Sequence, residues 1–441
     1  MSQGQQQQFV EVSRLRVGLY VYLDLGWMAH PFPLNNFRIS SAEQIETIRN
    51  LGIARIRYSP EQSSPEALEE LAVDAGAQGP PQPPTALSLG PARQSVETGD
   101  AAQKRWREAL AEQNRSLQQC ERRFAEATRT YRATLDKVRL EPKAAADSSS
   151  ALVQEFLSHV VGDQESCIRL LSEASGDRAS MHSINVTVIA VMLARALKMS
   201  EQEIADVGLG ALLHDIGKIE LPDRVRWRSD NFTAAESRFY QDHVGQGVAL
   251  GRKMGLGAGA LLALAQHHEY VDGTGFPLKL TGDKLSVAGR IVAMVNRYEG
   301  LCNPNNPSQA LTPHEALRAM FSQQKAKFDA DFMQAFIRMM GVYPPGSVIQ
   351  LNDERYALVV SVNSMRPLKP RVLIHDPTVP RHEALVVDLE SEPGLGIRRS
   401  LKPLQLPAAT MDYLSPRARL CYFFERAREP VFNESSMGGL E

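Results

Sequence analysis

Five of the chain's ten histidines, His182, His214, His243, His267 and His268, fall within a span of 87 of its 441 residues. A lone histidine in a helix is usually a surface or packing residue. Five together, with Asp215 beside His214, make a donor set for a metal. Imidazole and carboxylate mixtures suit Fe, Mn, Zn or Ni and do not separate them. Neighbours on a helix point about 100° apart, so His214 and Asp215 can grip an ion from two sides. The two oxygens of the carboxylate can bridge a pair of ions. Lys218, four residues after His214, shares its face, and Gly217 leaves room beside it. Two metals about 3.5–4 Å apart are the usual clamp for phosphodiester cleavage, and a lysine would neutralise transition-state charge. The cluster points to metal-assisted phosphoester hydrolysis.

These residues need helices to carry them. The pattern is helical throughout 150–340, with His182 in an apolar helix, Met181–Leu197, and His267 and His268 after the apolar run Leu261–Ala265. The expected class is mainly α, flanked by a small N-terminal α/β unit and a small C-terminal β-rich module. Residues 9–74 read as an accessory α+β domain. Leu15, Val17, Leu19, Val21 and Leu23 alternate as in a strand, a helix starts at Ser40-Ser41-Ala42-Glu43, and a second strand holds Ile53, Ile56 and Tyr58. Residues 75–100 are a Pro/Gly-rich linker. Residues 101–148 form a long amphipathic helix, in which Leu110, Leu117, Phe124, Tyr131 and Val138 recur every seven residues. That spacing is a coiled-coil seam, although its companions Gln113, Cys120, Ala127 and Thr134 are poor, and it suggests a homodimer through 101–143. Residues 104–143 carry eleven basic and six acidic side chains, a local +5, read as a solvated face. The hydrolase domain spans 149–343. A β-rich module and tail, 344–430, contains Tyr356–Val362 and Arg371–Ile374, and one apolar patch, Leu420–Phe424.

Composition narrows the class. With 49 Lys+Arg against 51 Asp+Glu, a binder of DNA by bulk phosphate neutralisation is excluded. Four scattered cysteines exclude zinc ribbons and disulfide scaffolds and suit a reducing compartment. No signal peptide or run of 18 apolar residues is present, so a soluble, cytoplasmic protein with no membrane partner is expected.

The motifs His182-x-x-Asn185-Val186, His214-Asp215-Ile216-Gly217-Lys218, a lone His243, and His267-His268-Glu269-Tyr270-Val271-Asp272-Gly273-Thr274-Gly275-Phe276-Pro277 occur in the order of the HD-GYP domain. Over about 150–340 the chain resembles that family, the bacterial cyclic di-GMP phosphodiesterases of the HD superfamily. The N-terminal segment, with Gly18, Val21 and Trp27-Met-Ala-His-Pro-Phe, resembles the small domain that often precedes HD-GYP. Tyr343-Pro-Pro-Gly-Ser-Val resembles the usual exit into a β-module. The resemblance implies two divalent ions on His182, His214, Asp215, His243, His267, His268 and Asn296. It implies catalytic roles for Asp215 and Lys218, and a substrate surface made of Lys218, Gly273, Gly275, Phe276, Pro277 and Arg290. It also implies cyclic di-GMP as substrate, cleaved to pGpG or on to GMP in second-messenger signalling, and docking of diguanylate cyclase domains on the signature loop.

The chain departs from the family pattern. Asn296 replaces the last aspartate ligand and costs the site one negative charge. Phe276 replaces the signature tyrosine, Tyr270 a frequent arginine, and Asn303-Pro-Asn-Asn-Pro an R-x-Y-R segment. Arg178 stands four residues before His182, where trinuclear members carry glutamate, which argues against a third ion. The primary expectation is an active phosphodiesterase. Asn296 motivates the alternative of a weakened domain that senses a nucleotide or docks a cyclase. Arg290 is open between a substrate phosphate and a core carboxylate. Glu269 is open between orienting a histidine and being solvated. Asp272 is expected to shape the glycine loop, and His30, His159, His314, His375 and His382 to lie on the surface or in packing.

Overall fold

The computed structural model describes residues 8–23, 36–49, 51, 53–73, 99–160, 166–171, 177–227, 231–363, 367–392 and 394–426. The Trp27–Phe32 motif, His30 and nearly all of the 75–100 linker lie outside them. The chain forms two compact units, one from residues 1–108 with 393–396, the other from 109–392 with 397–441.

The first unit is an antiparallel sheet of β1 (Gln8–Glu11), β2 (Tyr20–Tyr22), β3 (Asn36–Arg38) and β4 (Arg55–Ser59), in the order β1-β4-β2-β3. Helices α1 (Ala42–Arg49) and α2 (Pro65–Val73) accompany it. The alternating run 15–23 becomes a strand only at Tyr20–Tyr22. Gly18 breaks it with φ +101°, a left-handed conformation that suits glycine. Leu15, Leu19, Val21 and Leu23 are still buried with Ile45, Ile48 and Ile56, so the apolar period marked the core although it overstated the strand.

The second unit begins at residue 109, within the long helix α3 (Gly99–Lys137), which stops before α4 (Pro142–Val160). One continuous helix over 101–148 is thus two, broken ahead of Pro142, whose ring disfavours helix at the preceding residue. The heptad seam is filled by the chain itself. Phe124 packs edge-on against Phe423, Cys120 Sγ lies 3.4 Å from the Phe424 carbonyl oxygen, and Ser183 donates to the Tyr131 hydroxyl at 3.0 Å. Gln113 exchanges hydrogen bonds with the backbone at Ala384 and Val386. This correction removes the seam from Gln113 to Val138 as a face for a partner helix.

The helical core follows as α5 (Arg178–Ala196), α6 (Glu201–Leu213), α7 (Asp223–Arg226), α8 (Ala234–Met254), α9 (Ala258–Gln266), α10 (Val287–Cys302), α11 (Pro313–Ser322) and α12 (Ala330–Met340). Its starts are capped by side chains the sequence supplies: Asp177 for α5, Ser286 for α10, and Ser200–Glu203 and Thr233–Glu236 capping boxes for α6 and α8. Such caps satisfy otherwise orphaned N–H groups. Among the described residues one helix, α5, is long and apolar enough to cross a membrane, and most of it is buried inside this unit. Being apolar all round, it is the centre of the bundle.

The core is not helical throughout. Strand β5 (Ser166–Leu170) lies inside the expected all-helical span and is fully buried. It joins β6 (Val348–Leu351), β7 (Tyr356–Asn363), β8 (Arg371–Ile374), β9 (Val386–Asp388), β10 (Ile397–Leu401) and β11 (Tyr422–Arg426) in a seven-stranded antiparallel sheet. The path runs β10-β6-β7-β5-β11, with β8 and β9 branching from β7. A short helix, α13 (Ala408–Leu414), precedes β11. The β-rich module is therefore part of the same compact unit as the helices, because its strand β5 comes from ahead of them.

Beneath this sheet Arg169 and Glu425, each nearly inaccessible, form a buried ion pair. Arg371 adds a second contact to Glu425 at 3.1 Å and the Ser116 hydroxyl a third at 2.8 Å. Burial alone would raise the Glu425 carboxyl, but the two guanidiniums outweigh it and hold it below its ordinary 4.5. Removing one member of such a pair strands the other. Glu425→Ala should lower the unfolding free energy by about 3–5 kcal/mol, read from the urea midpoint, and Arg169→Met with Glu425→Leu should recover most of it. The depressed carboxyl makes its contribution fully above the unfolded value, and loses it as pH falls through the folded one. Glu425→Gln should therefore flatten the acid limb of stability below about pH 4.5.

Candidate active site

His214 is the C-cap of α6, where the helix gives way to a 3-10 turn at Ile216–Glu220. The regular helix expected under Lys218 ends at Leu213, and the tighter turn brings the Lys218 ammonium within 2.5 Å of Asp215 Oδ2. His182 comes from the second turn of α5, His243 from the middle of α8, and His267 and His268 from the end of α9. Gly217 is required for this assembly. A Cβ there would sit 1.9 Å from the His243 carbonyl oxygen and 2.4 Å from the Gly247 nitrogen, so only glycine lets the turn touch α8.

The ring orientations are set by the backbone. Nδ1 of His214, His243 and His267 lies 2.7, 2.5 and 2.7 Å from the carbonyl oxygens of Ala211, Tyr240 and Leu264, each three residues earlier. These carbonyls assign the proton to Nδ1 and turn Nε2 inward as a bare acceptor. His182 is held by a carboxylate instead, with Nδ1 2.5 Å from Glu299 Oε2. Burial pushes His214 and His243 down to about 4, and His267 and His268 well below their ordinary value. All four are thus neutral, the form that binds metals. Burial would lower His182 as well, but Glu299 outweighs it and raises it. Burial would also raise Asp215, yet Lys218 and the imidazoles of His214, His182 and His243 hold it well below the carboxylate range.

Asp215 stands between two half-sites. Its Oδ2 faces Nε2 of His182 at 3.6 Å and of His214 at 3.5 Å. Its Oδ1 faces Nε2 of His243 at 3.6 Å and of His267 at 3.7 Å. His182, His214 and Asp215 form one group with metal-ligand spacing, and Asp215, His243, His267 and His268 another. The donors fit cations. Nε2 atoms of His243 and His267 lie 3.1 Å apart and those of His182 and His214 3.0 Å apart, which sets lone pairs against one another. Asp215 Oδ1 and His268 Nε2 are buried with no hydrogen-bond partner. Unpaired buried acceptors are costly, and a divalent ion in each half-site would satisfy them.

A cleft of about 1130 Å³ opens on this cluster, with His182, Asp215, Lys218, His268 and Asn296 in its wall. The signature loop is placed differently from expectation. Gly273, Gly275, Phe276 and Pro277 are not among the described residues that line the cleft. Phe276 stacks on His268 at 4.4 Å and packs with Leu221, Val225 and Tyr240, so it props a ligand from behind. Arg290 is likewise absent from that wall. It pairs with Asp329 at 2.9 Å and donates to the Gly282 carbonyl, which decides for the core carboxylate. Buried Glu269 is neither a histidine partner nor solvated. It accepts the backbone N–H groups of Leu278, Lys279 and Leu280 at 2.6, 3.1 and 3.0 Å and clamps the loop. Asp272 shapes the glycine turn by accepting from Thr274, as expected.

Glu299 was missed by sequence reasoning. Asn185 and Asn303 donate to its Oε1 at 3.2 and 2.8 Å, and together they lock His182. The available signal was its place three residues after Asn296, one turn along α10. Carboxylates that hold a ligand histidine typically contribute about 10–100-fold in metal affinity or activity. Glu299→Gln should lower divalent-metal affinity by about that factor, measured by competition with a chromogenic chelator.

Comparison with known proteins places this geometry. Residues 161–332 match the HD domain model, and residues 7–148 match a domain of unknown function, DUF3391. The chain is 26% identical over 373 residues to the cyclic di-GMP phosphodiesterase PA4108 of Pseudomonas aeruginosa, covering 83% of this chain and 84% of that one. It is 32% identical over 153 residues to the cyclic di-GMP phosphodiesterase response regulator RpfG of Xanthomonas campestris, covering 34% of this chain and 40% of that one. Among solved structures, Bd1817 from Bdellovibrio bacteriovorus, titled an HDG"Y"P protein, aligns with a TM-score of 0.35 at 15% identity, over 75% of this chain and 98% of that one. The chain thus carries an HD domain at residues 161–332 behind a DUF3391 domain at residues 7–148, and is similar to proteins named cyclic di-GMP phosphodiesterases.

Proposed function

We propose that this protein hydrolyses cyclic di-GMP to linear pGpG at a centre where Asp215 and the histidines on either side of it would hold two divalent ions. The observation that carries this reading is the Asp215 carboxylate, with one oxygen facing His182 and His214 and the other His243 and His267. A relative that aligns over 83% of this chain and 84% of its own length is named for that substrate. His182, His214 and Asp215 would hold one ion, and Asp215, His243, His267 and His268 the other. Asn296, in the cleft wall, offers a neutral amide oxygen. When bound, such ions supply an activated water and positive charge for the phosphoryl oxygens.

The protein's own residues do the rest. Lys218 sits with its ammonium against Asp215 and over the rings of Trp227 and Tyr240, at 5.7 and 5.4 Å. Burial opposes its charge, yet Asp215 keeps the ammonium protonated. It is therefore a fixed cation for the charge that grows on the phosphoryl group. Water adds its oxygen to phosphorus, the bond from phosphorus to the ribose 3′ oxygen breaks, and that oxygen takes up a proton. The remaining diester of pGpG is the same type of bond, so product analysis in one assay reads any onward step to GMP. Fe, Mn, Zn and Ni remain the candidate metals. Docking of cyclase domains on the 273–277 loop belongs to this proposal too, since Glu269 presents that loop as a fixed surface.

Asn296 favours a second reading, a nucleotide-sensing or cyclase-docking module with weakened turnover. Both readings meet in one assay of cyclic di-GMP loss by protein reconstituted with Mn or Fe. Wild type should turn over, chelation should stop it, and Asp215→Ala should cut the rate by more than about a hundredfold. Asn296→Asp should tighten metal binding and raise the rate at limiting metal. A silent wild type revived by Asn296→Asp would establish the second reading.

A further inference from the structure

The wall of the cleft carries more positive charge than the metal cluster uses. Arg178, Lys218, Arg297 and Arg419 all line it. Its two carboxylates are committed, Asp215 to Lys218 and Glu299 to His182. Arg297 bonds the Gln324 side chain. Arg178 donates only to carbonyl oxygens, those of Asn303 at 3.2 Å and Asn305 at 3.4 Å. Arg419 is exposed and makes no ion pair or hydrogen bond among the described residues. The two guanidiniums are near enough for Arg419, after burial, to lower the affinity of Arg178 for its proton. Glu299 acts on Arg178 from a distance but is bonded to His182, so two cations held close with no ion pair of their own among the described residues gain from an anion.

Arg419 is fixed there by the site itself. The Leu420 N–H donates to Asn303 Oδ1 at 2.9 Å, and its carbonyl accepts from Asn185 at 2.8 Å and Asn303 at 3.0 Å. These are the asparagines that brace Glu299. The segment from the far end of the chain is thus bolted to the support of His182. Across the same cleft Trp227 is partly exposed, with the Arg178 guanidinium 5.9 Å and the Lys218 ammonium 5.7 Å from its ring. Arg226 ties this tryptophan to the metal turn by donating to the carbonyls of Lys218 and Leu221.

We propose that Arg178, Arg419 and Trp227 form a second subsite, which takes the phosphodiester not being cleaved and the face of one guanine of the cyclic dinucleotide. This rests on the cyclic di-GMP reading of the site. A cyclic dinucleotide carries two diesters, and the metal centre with Lys218 meets one. The other needs counter-charge elsewhere in the cleft, and a base beside it needs a flat apolar face. Arg178 and Arg419 supply the bidentate donors and Trp227 the platform.

The test measures cyclic di-GMP binding to full-length protein in excess chelator, where no turnover occurs, by calorimetry and tryptophan fluorescence. Arg419→Ala and Trp227→Ala should each weaken binding about tenfold, with Trp227→Phe retaining most of it and Arg419→Ala reducing the salt dependence. In metal-loaded protein, both alanine variants should lower kcat/KM for cyclic di-GMP about tenfold relative to that for bis(p-nitrophenyl) phosphate. Wild-type affinity in both variants, with cyclic di-GMP still hydrolysed, would overturn the subsite and leave the activity standing. A wild type that cleaves bis(p-nitrophenyl) phosphate but neither binds nor cleaves cyclic di-GMP would overturn the substrate reading and the subsite with it.

Discussion

One buried carboxylate organises this unit. Asp215 lies among four inward-facing imidazoles and one ammonium, and without it their lone pairs and charge would face one another uncompensated at the wall of the cleft. Every helix that contributes to the cluster is positioned to reach it. Helix α6 ends at Leu213, with His214 as its cap, so that the chain can tighten into the turn bearing Lys218, and Gly217 lets that turn press on α8. The price of gathering these groups is met by their mutual arrangement and by the cations they are built to hold.

A second layer surrounds that carboxylate. Glu299 fixes His182, Asn185 and Asn303 fix Glu299, and the same amides fasten Leu420. Strand β11, which begins two residues later, pairs with β5, and its Glu425 is buried against Arg169. The sheet therefore braces the catalytic unit, because its first strand precedes the helices and the residues leading into its last one, Arg419–Cys421, line the cleft. In the same way, α3 spends its heptad seam on β11 and α5 and encloses the core.

The histidine–aspartate cluster was legible in the sequence because adjacency carries chemistry. His214-Asp215 and His267-His268 are adjacent donor pairs, and their order along helical runs carries the resemblance to HD-GYP domains. Supporting residues lack such a mark. Glu299 is one glutamate in an amphipathic helix, and only folding brings it to His182. Strand β5, Ser-Cys-Ile-Arg-Leu, hides its identity behind Arg169, whose partner lies 256 positions away. The seam of α3 was visible as a heptad, but its period does not say whether another chain or the same chain fills it. Arg290 and Phe276 were expected on the substrate side and stand behind the site, since spacing alone does not tell which side of a loop faces a cleft.

The central claim is that one carboxylate joins two metal sites. Electron paramagnetic resonance of protein titrated with Mn(II) tests it directly. The account predicts binding of two equivalents per chain and, as the second enters, a spin-coupled spectrum of a close metal pair. A single uncoupled Mn(II) spectrum that saturates at one equivalent would contradict it.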